Sequence, residues 1–500
     1  MPLTVSTQCP SCGGALDYTE GSNAVHCGFC GSSHVVTGRG RVLSYYIPEK
    51  VTIDKAAAFA LAALKGAEGS GGWRVRETTL FFVPFLHYTG QDMRWEVQEV
   101  EIAGGDTRQK SILTIDVRGY SFGGFGGIGG FGGGDVLDSF EATSQRITEK
   151  RFELETRYID RSFPALEAPD LGVFSLGLRP EILKLSLFEK QKVAERGMLA
   201  PVGFTAAQKE EMGYAPLNKE DVVARRVFGK SASVIYFPFW IVEVVRGSES
   251  ALSVVDGVSG EVPNPKAPTS LLDALVDKDG QTFDVAALRP LKCPVCAADL
   301  PVKPNDAVFI CPGCRKAWYI NGSELTQVHY TVVPPKLKRQ SLPVEYFPYW
   351  VVRADVRKGG DAITNKYDLI KLSPGVFLPK EEDKAVPLRF FVPAFRLGSM
   401  NVLSRLAMSF TRNQPEFEGS EPDEFVVRGS YLSPEDALTL APLVLFSLVP
   451  KGNKNAVKFA LESVVEPILG ELVMIPYYKG RMEYTDALFG WTVPVGALRD

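Results

Sequence analysis

The chain lacks any long hydrophobic run. Its most apolar stretch, Leu438 to Val449, contains Pro442 and is too short to cross a bilayer. The first residues, Met1-Pro2-Leu3-Thr4-Val5-Ser6, lack the basic and apolar segments of a secretory leader. A cytoplasmic protein is the expectation. An excess of positive charge is also missing. Against 55 Lys and Arg stand 59 Asp and Glu, so no global field draws in nucleic acid or an anionic bilayer. Histidine is scarce, at four residues, and His87 and His329 stand alone in strand-like runs with no partner identifiable from the sequence. With no Ser-His-Asp order and no phosphate loop, no enzyme class is indicated. The acidic run Glu381-Glu382-Asp383 sits in a lysine-rich turn and reads as solvated.

Cysteine is scarce too, but its eight copies are fully organised. Cys9 and Cys12 are followed after fourteen residues by Cys27 and Cys30, and Cys293 and Cys296 by Cys311 and Cys314 at the same spacing. Two Cys-x-x-Cys pairs hold a metal tetrahedrally through four thiolates, and zinc fits that set best. Iron fits the same sulfur cage less well. Four protein ligands leave no open position, so both sites are expected to be structural. Glycines 13, 14, 28 and 31 are expected to supply the positive φ that knuckle turns need. His26 and His34 flank the first ribbon's second knuckle and read as packing residues, not ligands.

The Cys-Pro-x-Cys-Gly-Gly and Cys-Gly-Phe-Cys-Gly segments resemble the ribbon at the start of bacterial proteins with a TFIIB-type zinc ribbon. Some of these occur with membrane-stress components. The resemblance covers mainly the two ribbons, and it implies zinc more than it implies a process.

The composition, with 34 Pro, 47 Gly and 45% apolar residues, favours a folded chain of short strands and many turns. The expected fold is α+β and β-rich multidomain, with two four-cysteine zinc ribbons each followed by β-rich modules with a few helices. Ribbon 1 is expected over 1–40 and a β-rich region over 41–262, with helices near 54–66 and 180–197. A glycine-rich loop, 119–134, interrupts that region. A linker over 263–289 precedes ribbon 2 over 290–322. A second β-rich module, 323–500, carries helices near 434–448 and 454–469.

A motif without cysteine also recurs. Phe82-Val83-Pro84-Phe85, Tyr236-Phe237-Pro238-Phe239-Trp240 and Tyr346-Phe347-Pro348-Tyr349-Trp350 share an aromatic-apolar-proline-aromatic core. Residues 391–395 and 475–478 are looser copies. Proline removes a ladder donor, so related β modules bent at their prolines are expected.

Two segments are candidate contact sites. Around ribbon 2, Lys292, Lys303, Arg315 and Lys316 surround Trp318 and Tyr319, a basic and aromatic patch for an anionic partner or nucleic acid. Lys336, Lys338 and Arg339 extend it. In the glycine-rich loop, Phe122, Phe125, Ile128 and Phe131 are candidates for contact with a partner or a membrane surface. The favoured expectation is a non-catalytic zinc-binding scaffold or adaptor with protein partners, peripheral to a membrane in one version. A nucleic-acid factor acting through ribbon 2 is the alternative, followed by an enzyme whose site the sequence does not reveal.

Overall fold

The computed structural model describes residues 3–37, 42–68, 72–102, 147–176, 184–203, 222–276, 284–285, 287–303, 306–321, 324–337, 342–373, 378–422 and 425–499. The glycine-rich loop, Lys338 and Arg339 lie outside those residues. The fold is α+β and β-rich, with two sheet-centred bodies and two small ribbon sheets. Ribbon 1 contains β1 (Thr4–Gln8), β2 (Ala15–Thr19), β3 (Ala24–His26) and β4 (Ser33–Thr37). The chain then passes through β5 (Leu43–Tyr46) and the helix Ile53–Glu68.

The first body is built on β6 (Arg74–Ile102) and β10 (Val222–Arg246), an antiparallel pair. Between them come β7 (Ile147–Pro164), β8 (Lys184–Leu187) and β9 (Met198–Leu199). After β10 come β11 (Glu249–Asp256) and β12 (Asn264–Ala267). Aromatic and aliphatic residues form continuous runs along β6 and β10 and bury both faces. Phe81, Phe82, Phe85 and Phe239 are all essentially inaccessible to solvent.

The prolines explain where the neighbouring strands stop. A proline has no N–H, so the residue facing it across a ladder keeps an unanswered carbonyl. The β6–β7 ladder ends at Phe85↔Pro164, and the next residue, Ala165, donates its N–H to Pro84 O at 2.8 Å. The carbonyl of Ala165 faces the missing donor and accepts instead from Gly203 N. The same arrangement recurs at Pro238. The β10–β11 ladder ends at Phe239↔Asp256, Gly257 N donates to Pro238 O, and Gly257 O accepts from Lys50 N and Val51 N. Each proline thus terminates a ladder and opens a port that a crossing segment fills.

The second body repeats this design. Ribbon 2 is preceded by β13 (Asp284–Val285) and β14 (Ala287–Pro290), and contains β15 (Val308–Ile310), β16 (Ala317–Asn321) and β17 (Glu324–Val328). The body follows as β18 (Tyr330–Val332), β19 (Val344–Lys358), β20 (Asp361–Ile363), β21 (Arg389–Pro393), β22 (Val464–Lys479), β23 (Glu483–Asp486) and β24 (Thr492–Pro494). Pro348 faces Met474 and Pro476 faces Tyr346, each opposite the residue two before the other proline. Pro84 and Pro238 are related in the same way, through Pro84↔Tyr236 and Pro238↔Phe82. Ala394 N donates to Pro348 O, and Ala394 O accepts from Tyr431 and Leu432. Ala487 N donates to Pro476 O, and Ala487 O accepts from Lys336 and Leu337. The leading strands correspond too, with β5 parallel to β10 and β18 parallel to β22. Trp240 Nε1 donates to Val51 O, and Tyr478, at the matching position, donates its hydroxyl to Leu337 O. The two halves are therefore copies of one module.

Three expectations are corrected. The helix expected over 180–197 does not form across its described residues, 184–197. Residues 184–187 form β8, parallel to β1 and touching β5, and only Lys190–Ala194 is helical. Leu183, Leu185 and Leu187 also alternate with period two, and sheet pairing that buries Leu185 decides the outcome. The helix expected to reach 469 runs Lys454–Glu462 and gives way to β22 at Val464. Val464, Val465 and Pro467 favour the strand. The described residues of 263–289 are built into the fold and do not form the expected linker. β12 pairs β11, the helix Leu271–Leu275 buries both its terminal leucines, β13 pairs β5 and β14 pairs β4.

The two bodies share a core. Met93 and Phe228 pack with residues of the helix Pro434–Leu448, and Gly229 N donates to Asp436 Oδ1 at 3.0 Å. Ser433 caps that helix by accepting from Asp436 N.

The turn closing each module is held by an aspartate. Asp256 Oδ1 accepts from Val258 N and Ser259 N. Asp486, fully buried, accepts from Leu488 N, Phe489 N and Trp491 N. Asp486→Ala orphans three donors and is expected to cost about 3 kcal/mol in urea unfolding. Asp486→Asn keeps an acceptor oxygen and is expected to recover part of that loss. Equal stability of wild type and Asp486→Ala would contradict this account of the turn.

Candidate metal centres

Each ribbon brings its four sulfur atoms together, all within 4.8 Å of one another. In ribbon 1, Cys9 Sγ lies 3.8 Å from Cys30 Sγ, and Cys12 Sγ 3.8 Å from Cys27 Sγ. In ribbon 2 the matching distances are 3.5 and 3.4 Å. Tetrahedral zinc with bonds of about 2.3 Å needs sulfur atoms roughly 3.8 Å apart, so both cages fit that ion. The first cysteine of each pair is buried, and Cys12, Cys30 and Cys296 are exposed.

The knuckles arise from local hydrogen bonds. Cys9 N donates to Gly14 O and Gly13 N to Cys9 O, and Cys27, Gly31 and Ser32 repeat the pattern. The turn requires a left-handed residue after the second cysteine. Gly13 and Gly31 supply it in ribbon 1, both at φ 73°. Gly14 and Gly28, expected to share this role, do not adopt positive φ. In ribbon 2 the same positions are Ala297 (φ 60°) and Arg315 (φ 55°), where an L side chain costs about 1–2 kcal/mol each. Burial opposes charge on Cys9 and Cys293. The backbone N–H groups of the following knuckle residues outweigh it and draw both thiols toward thiolate.

The ribbons interlock. In ribbon 2, β17 lies beside β16 as the third strand. In ribbon 1 the third strand is β14, which leads into ribbon 2 and pairs with β4 from Ala287↔Thr37 to Pro290↔His34. Leu291 N donates to Ser33 O at 2.8 Å, and Asn23 Nδ2 to Asp306 O at 3.0 Å. Ala24 and Val35 of ribbon 1 share one core with Leu291, Cys293, Phe309, Cys311, Trp318 and Ile320 of ribbon 2. Burying Leu291, Phe309 and Trp318 contributes roughly 2 kcal/mol each.

The other singled-out residues divide. His34 is buried, with Nε2 3.3 Å from Cys9 Sγ and 2.8 Å from Ser32 Oγ, so it touches a ligand sulfur without being needed as a ligand. Its positional counterpart in ribbon 2 is Trp318. That indole is 6% exposed and belongs to the shared core, so its ring is not available for stacking on a base. Lys292 faces Asp299 at 3.7 Å, and Lys316 is exposed on the ribbon surface. Lys303 and Arg315 line a cleft beside ribbon 2. His26 and His329 are exposed. Phe122, Phe125, Ile128 and Phe131 lie outside the described residues.

His87, expected to stand alone on its strand, is buried on β6. It lies between two carboxylates, with Nδ1 2.8 Å from Glu20 Oε2 and Nε2 3.0 Å from Asp160 Oδ1. Ser233 donates its hydroxyl to Glu20 Oε1. Glu20 follows β2, so the cluster ties ribbon 1 to β6, β7 and β10. Its members are separated by 67 or more residues in the chain, and no local pattern announces it. Burial disfavours charge on His87, but Glu20 and then Asp160 outweigh it and raise its pKa to about 8.

No protein-family model, curated protein or solved structure matches this chain.

Two outcomes follow from this geometry. Zinc-loaded protein is expected to hold two ions, read by plasma mass spectrometry. Cys293→Ser with Cys296→Ser is expected to lower the content below one, because loosening β14 weakens ribbon 1 as well. Cys9→Ser with Cys12→Ser is expected to leave ribbon 2, which has its own third strand, close to fully loaded. Equal losses in the two variants would contradict the borrowed strand.

His87 is a base whose folded pKa lies above its unfolded value near 6.5. Its stabilisation, on the order of 2 kcal/mol, is therefore complete below about pH 6.5 and fades as pH rises through 8. Amide exchange of residues 15–20, corrected for its intrinsic pH dependence, is expected to quicken over that window in wild type. It should be insensitive to pH there in His87→Gln. A wild-type profile identical to that of His87→Gln would refute the assignment.

Proposed function

We propose that the protein is a non-catalytic, zinc-stabilised scaffold that joins other proteins. The observation carrying this reading is the closure of both metal sites by four cysteine sulfurs. An ion held this way keeps no coordination position for a substrate or an attacking water, so its role is to fix the knuckles. Those knuckles display apolar side chains. Phe29 is 74% exposed between Cys27 and Cys30, and Val295 is 53% exposed between Cys293 and Cys296. An aromatic side chain on a rigid, metal-held turn is well suited to anchor a partner, because little entropy is lost when it is covered.

A nucleic-acid factor has less support. Burial of Trp318 removes the main stacking surface, and Lys292 already faces Asp299. Among the described residues no helix is long and apolar enough to cross a membrane.

The test uses tagged full-length protein in its native cell. Gel filtration of the extract is expected to place it in an assembly well above its own 54.7 kDa. Phe29→Asp is expected to release it from that assembly with its zinc content unchanged. A wild-type chain running alone at its own mass would sink the reading, as would a turnover activity that survives loss of the ribbon cysteines.

A further inference from the structure

Between ribbon 2 and the second body lies a cleft of about 390 Å³. Its origin is a parting of two chains. β15 is an edge strand of its small sheet, and the segment 425–430 bridges to it at Val308↔Ser430. Its preceding residues pair instead with β19, where Tyr346 N donates to Val426 O and Arg428 N to Tyr346 O. The wedge left between them is lined on its apolar side by Val308, Ile310, Phe425 and Met474. Phe425 is held rigidly, stacked on Tyr330 at 5.9 Å and tilted against Tyr346 at 5.4 Å.

The polar lining is biased toward positive charge. Lys303 and Arg315 both face the cleft, and neither has an ion-pair partner among the described residues. Arg428 adds a third cation, already engaged by Glu345 at 3.1 Å. Among the described lining residues one carboxyl stands against these, Asp306. It lies so close to Gly429 that a Cβ there would collide with its Oδ1. Its side-chain oxygens accept no hydrogen bond from any described residue. Burial pushes its pKa up to about 7 against the pull of Lys303, so near neutral pH a large share of it is a neutral O–H donor.

We propose that this cleft binds an anion with an apolar body, a carboxylate carried on an aromatic or branched aliphatic group. The apolar body would lie against Val308, Ile310, Phe425 and Met474. The carboxylate would sit between Lys303 and Arg315, where charge-assisted hydrogen bonds are strong and an amine would be repelled. The carboxyl of Asp306 would donate to it. The proposal does not depend on the scaffold reading, since a ligand of this kind could serve a scaffold or an enzyme.

The experiment is calorimetric titration of the full-length zinc-loaded protein with 1-naphthoate. Naphthalene-1-carboxamide and 1-naphthylmethylamine are the neutral and cationic comparators. Naphthoate is expected to saturate one site and to bind about tenfold or more tighter than either comparator. Lys303→Glu with Arg315→Glu is expected to weaken it about tenfold, with zinc content and circular dichroism unchanged. Gly429→Val, which crowds Asp306, is a second variant expected to lose binding. A peptide ending in phenylalanine, tested as free acid and as amide, distinguishes the source. Tighter binding of the free acid than of naphthoate assigns the ligand to a protein C-terminus, and weaker binding to a free organic acid. Amide or amine binding as tightly as naphthoate, affinity unchanged in the charge-reversed variant, or no saturation by about 10 mM would overturn the proposal.

Discussion

A missing N–H organises both bodies. Four prolines, Pro84, Pro238, Pro348 and Pro476, lie within long strands where each neighbouring residue would donate to a ladder. Each withholds one donor, so the adjoining strand ends and one facing carbonyl is left open. A buried carbonyl without a partner costs about 1–3 kcal/mol, so the fold must bring another donor to it. In every case it does. The N–H groups arriving at these ports belong to Gly203, Lys50 and Val51, Tyr431 and Leu432, and Lys336 and Leu337. Several of these segments are distant in the chain from the proline they answer. The prolines therefore fix where connecting chains cross the sheets, and through them the placement of the segments that follow each ribbon.

The cysteine ribbons are positioned by the same connections. Val51 and Leu337 follow ribbon 1 and ribbon 2 respectively, and each is seated on its body by a port carbonyl. The ribbons then meet through β14, which belongs by sequence to the second module and by pairing to the first. This exchange makes the duplicated modules one body and not beads on a string. The shared helix Pro434–Leu448 closes the other side, where Lys451 lies 4.8 Å from the Trp95 ring and donates to the carbonyls at the end of that helix.

Much of the ribbon chemistry was legible because its signal is local. Cysteines at fixed spacing give the four-sulfur cages without any tertiary knowledge. The proline motif was legible as a repeat, but not as a device, since its meaning lies in the register of two strands and the identity of a third. Phe163-Pro164-Ala165 matches Val392-Pro393-Ala394 in ladder position but lacks the aromatic residue that follows it in that copy, so no local motif marks it. Segment 263–289 read as a linker because its partners, β4, β5 and β11, are mostly far away in sequence and a short strand carries little pattern. Trp318 read as a surface aromatic because nothing near it in sequence reveals the second ribbon packed above it. His87 was obscure for the same reason. Charge clusters assembled across sheets leave no periodic trace.

The duplication also explains why the two ribbons differ. In the first module Glu20 reaches His87 and Ser233, and Gly21 approaches Ser231 so closely that a Cβ would lie 3.1 Å from its hydroxyl. That junction between ribbon and body is closed. In the second module Asp306 occupies the position matching Ser22, five residues before the third cysteine, and the junction is an open cleft with a strained Arg315 at its edge. Strain at two knuckle positions and a partly desolvated carboxyl are costs that packing alone does not require, because ribbon 1 uses glycine at both knuckles and has serine at the matching site. A structure tolerates such costs where the groups do something else. Once one copy secures the fold, the other is free to carry them, and the asymmetry supports the anion site proposed beside the second ribbon.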